Sequence, residues 1–259
     1  MNCVPITDAL LQDRKAEVDD YLKFLEVALE RNSIISANGG ATSLSLSINI
    51  THTLKANLLL LLYSAMEATL IQLLDEMHDA INSNCDSADN LNSELLRLVL
   101  KTFQKNANTQ SFSANSPLHQ ELFKHWMNDW QGKTTAKEKR SDGISGSVDG
   151  VVFYKQLKKF GVIAATPNDK PPPHLTHWAL QKIKNDRNDL AHGEKSFVDL
   201  GRMLSLEELK INAEAVFVTL KNIALEVDSY LSSKCYLAIP STIGSAQITG
   251  ALPSIGNET

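Results

Sequence analysis

Arg187 and His192 stand five residues apart in the stretch KNDRNDLAHGEKSF, with Asn188 beside the arginine and Gly193 directly after the histidine. A guanidinium can hold negative charge on a phosphoryl oxygen, and an imidazole can move a proton near neutral pH. On an ideal helix Asn188 and His192 share a face, about 40° apart, whereas Arg187 lies about 140° from His192. Unwinding of the last turn before Gly193 would bring the three side chains toward one site. A helix C-terminus favours the imidazolium, and a histidine there can equally do no more than cap the last carbonyls.

The helix that must carry these groups is expected from Thr176, its N-cap, with Leu175 and Leu180 as a hydrophobic staple, to His192, with Gly193 as the residue past its end. Its apolar stripe runs Leu180, Ile183 and Leu190, and Arg187 fills the slot between the last two. Desolvating an unpaired arginine costs several kcal/mol, so one that faces a core needs a carboxylate or a phosphate. An internal ion pair, or a side chain that snorkels outward, meets that need as well as a ligand does.

Other helices must position this one. Val18, Leu22, Leu25 and Leu29 place one apolar stripe on a helix at about 8–32, and Leu59, Leu62, Met66, Leu70, Leu73 and Met77 place another at about 54–82. The extra leucines at 58, 60 and 61 predict burial on more than one side. SLEEL at 205–209 is a capping box opening a last helix at about 205–232, whose stripe from Leu206 to Val227 has the spacing of bundle packing. Between these helices, LNSELLRLVLKTFQK and PLHQELFKHWMNDWQ read as helical, and VVFYKQLKKFGV as a short helix stopped by Gly161. Leu44, Leu46, Ile48 and Ile50 alternate with polar residues, the period of a short strand or extended segment. The pattern predicts an all-α bundle, one domain over 1–259, with a helical insertion at about 91–170 and a loose tail at 237–259.

Composition is that of an ordinary soluble domain, 43% apolar and 21% charged, and the net charge of −5 means that any nucleic acid must be met by a local basic cluster. Cys3, Cys85 and Cys235 form neither a disulfide framework nor a metal spacing, which fits a reducing cytoplasm. The N-terminus has no secretory pattern, and the run NLLLLLYSAMEATLIQLL is read as too short and too periodic to span a membrane. GISGSVDG lacks the Lys-Ser/Thr ending of a phosphate-binding loop, and DEMHD lacks the second histidine of a zincin. His174 and His177 make no metal set with Cys3 or Cys85. Trp126, Trp130 and Trp178 are expected in the core.

RNDLAHG resembles the signature of the HEPN superfamily, helical domains carrying an arginine, an adjacent polar residue, a short spacer and a histidine. LLLLLYSAMEATL is similar to the family's second helix, which carries a glutamate in an apolar setting, here Glu67. ISGSVDGVVFYKQLKKFGV is similar to the glycine-containing element ahead of the motif helix in a bacterial defence-associated branch, and HGEKSFVDLGRMLSLEELK to that branch's run into the last helix.

The resemblance implies a HEPN-like bundle acting as an endoribonuclease without metal or other cofactor, as a homodimer whose motifs face each other across a cleft. Carried over, His192 acts on the ribose 2′-OH or the leaving 5′-oxygen, and Arg187 stabilises the phosphoryl oxygens. Asn188 positions the histidine or the phosphate, and Glu67 holds Arg187. Lys182, Lys184, Lys195 and Arg202, with Lys155, Lys158 and Lys159 on the short preceding helix, are candidates to contact RNA phosphates, or else form a solvated face. The branch implies a toxin–antitoxin pair or an anti-phage defence system, and hence a neutralising or other defence-system partner. The alternative is a non-catalytic HEPN-like module that binds RNA, a nucleotide or a protein, in which Arg187 and Glu67 are a structural pair and His192 a cap.

Overall fold

The chain folds, in order, into α1 (Pro5–Ala28), a hairpin of β1 (Ile34–Ala37) and β2 (Thr42–Ser45), α2 (Ile48–Asn84), α3 (Ser93–Asn106), α4 (Leu118–Gln131), α5 (Gly150–Phe160), α6 (Trp178–His192), α7 (Phe197–Met203) and α8 (Leu206–Ser232). This computed structural model describes residues 2–30, 34–37, 42–106, 116–135, 138–139, 144 and 147–238. The fold is all-α, with a two-stranded antiparallel hairpin that pairs Ile34 with Ser45 and Ile35 with Leu44.

The apolar run at the centre of the sequence dictates the packing. Leu58, Leu59, Leu62, Met66, Leu70 and Leu73 of α2 are all without solvent exposure, and they occupy more of the helix circumference than one stripe. Such a helix has to be covered on several sides, and α1, α6, α7 and α8 all pack against it. By length and composition α2 could cross a bilayer, contrary to the expectation that this run is too short; 56% of its most apolar window is buried inside the protein.

Several ends of the bundle are tied by groups remote in sequence. Val4, at the start of α1, has no capping side chain; buried Glu76 of α2 instead accepts from the Ile6 and Thr7 amides at 2.7 and 2.9 Å and from the Thr7 hydroxyl at 2.5 Å. Lys55 of α2 donates to the Leu204 carbonyl at 2.5 Å, and burial pushes its pKa below the usual lysine range. The insertion carrying α3, α4 and α5 is held to the end of α8, where Asn92 donates to the Tyr230 hydroxyl and the Cys235 carbonyl and Tyr230 donates to the Phe160 carbonyl.

Where the elements differ from expectation, a local hydrogen bond explains it. α1 spans 5–28 rather than 8–32. α2 starts at Ile48, not 54, because the Ser47 hydroxyl caps it at the Ile50 amide, so the alternation over Leu44–Ile50 is strand only as far as Ser45. α6 starts at Trp178: the His177 ring, and not Thr176, accepts from the Ala179 amide, while the Thr176 hydroxyl donates back to the Pro173 carbonyl. Leu175 and Leu180 are nonetheless both fully buried. Trp178 is half exposed, contrary to the core position expected of it, while Trp126 and Trp130 are buried. The expected tail is described only to residue 238, where Leu237 bridges Leu91; residues 239–259 and parts of the KTTAKEKR and GISGSVDG stretches lie outside the described residues.

α7 is an element that periodicity did not announce. The Ser196 hydroxyl caps it at the Asp199 amide, and Gly201 lies so close to α2 that a Cβ there would sit 1.8 Å from the His52 carbonyl oxygen. Gly201→Ala must push the two helices apart, and a loss of about 1–3 kcal/mol of stability is expected from overpacking of this kind. Urea unfolding measures it; an unchanged midpoint would show that the α2–α7 contact is not tight.

Candidate functional site

α6 presents Leu180, Ile183 and Leu190 to the core, and Arg187 fills the slot between them half-buried. Its guanidinium carbon lies 4.8 Å from the centroid of the Tyr63 ring on α2, so the cation is met by a π face. One guanidinium nitrogen donates to Asn188 Oδ1 at 3.2 Å, and Asn188 Nδ2 donates to Ser147 Oγ at 3.1 Å. The Tyr63 hydroxyl accepts from the Val148 amide at 3.0 Å. One aromatic residue therefore supports the arginine and pins the segment just before α5.

That segment is fastened at two further points. Asp149 is buried; one of its oxygens caps α5 at the Val152 amide at 3.0 Å, and the other accepts from Lys184 at 2.8 Å. Lys184 stands one turn before Asn188 on α6. Gly150 is required by close approach, since a Cβ would come within 1.5 Å of the Leu175 carbonyl oxygen. Residues 147–150 are thus clamped between α2 and α6, and they hold the Asn188 amide in the orientation that receives Arg187.

His192 ends α6, exposed, with Gly193 in the left-handed conformation at φ 73° and the Gly193 and Glu194 amides closing onto the Leu190 and Asp189 carbonyls. The helix stays regular to this point, so no fraying draws the histidine inward. No hydrogen bond or ion pair joins His192 to Arg187 or Asn188. Glu67 is partly buried one turn along α2 from Tyr63. No ion pair joins Glu67 to Arg187, in contrast to what the resemblance implies; the guanidinium meets the Tyr63 ring and Asn188, and Glu67 is engaged elsewhere.

The family model for HEPN_MAE_28990-like HEPN matches residues 7–236, from α1 past the end of α8. This chain belongs to that HEPN family. Neither the search of curated proteins nor that of solved structures returns a match. At the level of the superfamily, HEPN membership points to nuclease or other RNA-related function.

Four of the cations expected around the HEPN motif are engaged by carboxylates. Lys182 pairs with buried Asp186 at 2.9 Å, Lys184 with Asp149 at 2.8 Å, Lys195 with Asp189 at 2.7 Å and Arg202 with Asp199 at 3.8 Å. The Asp189 hydrogen bond pushes the Lys195 pKa up. Exposed pairs of this kind are worth about 0–1 kcal/mol, so a phosphate can displace the carboxylate from Lys195 or Arg202. Lys184 differs, since its partner is buried and caps a helix. Among the described residues no group of three or more His, Cys, Asp and Glu side chains could hold a metal ion, and the three cysteines form no disulfide with one another.

Tyr63, Ser147 and Asp149 are site residues that the spacing argument missed. Two signals were present: a tyrosine set in a run of leucines four before Glu67, and an aspartate followed at the helix start by Gly-Val-Val. Lys184→Met should leave the Asp149 carboxylate buried without its cation and cost about 2–4 kcal/mol in urea unfolding. Adding Asp149→Asn, which keeps an oxygen for the cap, should recover part of that loss. A single variant as stable as the unaltered chain would remove Lys184 from the framework and return it to the RNA-contacting candidates.

Proposed function

We propose that this HEPN protein is a metal-independent endoribonuclease working as a cytoplasmic homodimer, in a toxin–antitoxin or anti-phage defence setting. The observation that carries the reading is the Arg187 guanidinium, stacked on Tyr63 and steadied by Asn188, with most of its donors uncommitted among the described residues. A planar cation held in place before substrate arrives suits the charge that grows on a phosphoryl group in transition. An exposed imidazole stands at the same helix end, where a substrate can reach it.

In this mechanism His192 takes the proton of a ribose 2′-OH, the 2′-oxygen attacks phosphorus, and the bond to the 5′-oxygen breaks with protonation of the leaving group. The products are a 2′,3′-cyclic phosphate and a 5′-hydroxyl end. One histidine serves one proton transfer, and a facing copy of α6 supplies the second. Dimerisation also answers the separation of Arg187 from His192 in one chain: the arginine of one protomer works with the histidine of its partner. Lys195 and Arg202 exchange their carboxylates for RNA phosphates, with Lys182 beside them.

A second reading, a non-catalytic module binding RNA, a nucleotide or a protein, is favoured by the lack of any side-chain hydrogen bond that ties His192 to the Arg187–Asn188 pair. Incubating purified protein with mixed RNAs in EDTA separates the two. The nuclease reading expects cleavage to cyclic-phosphate ends, reduced about 100-fold or more by His192→Ala and by Arg187→Ala, each folded as judged by circular dichroism. Toxicity on expression should fall in parallel. RNA that stays intact, or cleavage that EDTA abolishes, overturns the metal-free nuclease.

A further inference from the structure

The hairpin of β1 and β2 is not drawn into the core. Its packing is between its own two strands, and among the described residues no helix packs along it. Two strands alone in water are at best marginally stable. The register sets Ile35 beside Leu44 on one face, with Ile34 beside Ser45 and Ser36 beside Ser43 on the other. Ile35 is 46% and Leu44 56% exposed, so the apolar pair looks onto solvent. Phe24 and Val27 in the last turns of α1 and Ile48 in the first turn of α2, the helices that the hairpin joins, are exposed as well.

Strands at a surface are ordinarily guarded by charges or a proline, which keep other chains away. Here neither is present: between Arg31 and Lys55 the sequence holds no Asp, Glu, Lys, Arg or Pro. The lack of charge also selects the partner. Nucleic acid and an anionic membrane are both met by cations, and this segment offers none. Two copies of a chain of net charge −5 repel each other, and a segment without formal charge is where they approach at least cost.

The hairpin stands at the motif end of the bundle. α6 crosses α2 where Arg187 meets Tyr63, and α7, which begins five residues after His192, meets α2 at His52. The chain beyond His192 therefore travels toward the N-terminal end of α2. The hairpin is attached at that same end, with Ser45 three residues before Ile48.

We propose that two copies of this chain dock through their hairpins, Ile35 and Leu44 of one packing on Ile35 and Leu44 of the other across a two-fold axis. Such an interface is self-complementary, so one apolar pair supplies both halves. It gives each hairpin the second layer that it lacks. The inference rests on the homodimer of the nuclease reading and assigns the surface that brings its two motif ends together.

Sedimentation equilibrium of the full chain, with RNA cleavage followed in parallel, tests it. The unaltered chain should dimerise, and Ile35→Lys and Leu44→Lys should each raise the Kd by about tenfold or more. Both side chains are exposed in a single copy, so unchanged circular dichroism is expected. Mixing Ile35→Lys with Ile35→Glu should restore dimer and cleavage beyond either variant alone, a rescue that misfolding would not give. Ile211→Lys, equally exposed but on α8, should dimerise as the unaltered chain does. If the hairpin variants dimerise normally, the hairpin contact is overturned and the homodimer stands. A chain that is monomeric at every concentration overturns both, as does a hairpin that binds neutral lipid vesicles through Ile35 without pairing. Dimers lost through the hairpin variants of a chain that cuts no RNA would support the contact and sink the nuclease.

Discussion

α2 is a helix that cannot stand at a surface. Its middle turns bury leucine or methionine on more than one side, and exposure of that area would cost about 25 cal/mol for every Å². The remaining elements are arranged by the need to cover it. α1, α6, α7 and α8 lie against it, Gly201 yields its side chain so that α7 can approach, and Glu76 reaches from α2 to complete the first turn of α1. The motif helix α6 is thus placed by hydrophobic covering, and the chemistry at its end inherits that placement.

Within this frame the arginine is held by weak contacts whose geometry reinforces itself. A carboxylate directly beneath Arg187 would neutralise it; the Tyr63 ring supports the cation and leaves its charge in place. Asn188 serves as the hinge of the arrangement, accepting from Arg187 and donating to Ser147. α5 then joins two regions of the molecule. Its N-terminal cap, Asp149, is fixed to α6 through Lys184, while Lys155, Gln156 and Phe160 at its other half wall a cavity between α2, α3, α4 and α5. A shift of this one short helix would be felt in both places.

Much of the architecture could be read from periodicity, because burial of a helix face leaves a repeating mark on the chain. The stripes of α2 and α8, the Ser205–Glu208 capping box, Gly161 and Gly193 at the ends of α5 and α6, and Arg187 in an apolar slot are all local patterns, and all of them are found in the fold. Helix starts were less legible: His177 replaces Thr176, and Ile48 begins α2 instead of extending a strand, because competing caps differ by little energy. α7 was invisible, being too short to show a period.

What the sequence by itself determined is the all-α class, the order of the main helices, the family, and which residues carry titratable or cationic groups at the end of α6. Only the tertiary structure decided what those groups meet. Tyr63 rather than Glu67 receives Arg187, four expected RNA-binding cations are engaged by carboxylates, and lysines from α3 and α5 border one cavity. The reason is physical: a helix period is set by neighbours three and four residues away, whereas a partner for a charge is set by which element the core draws alongside, and nothing local in the chain encodes that distance.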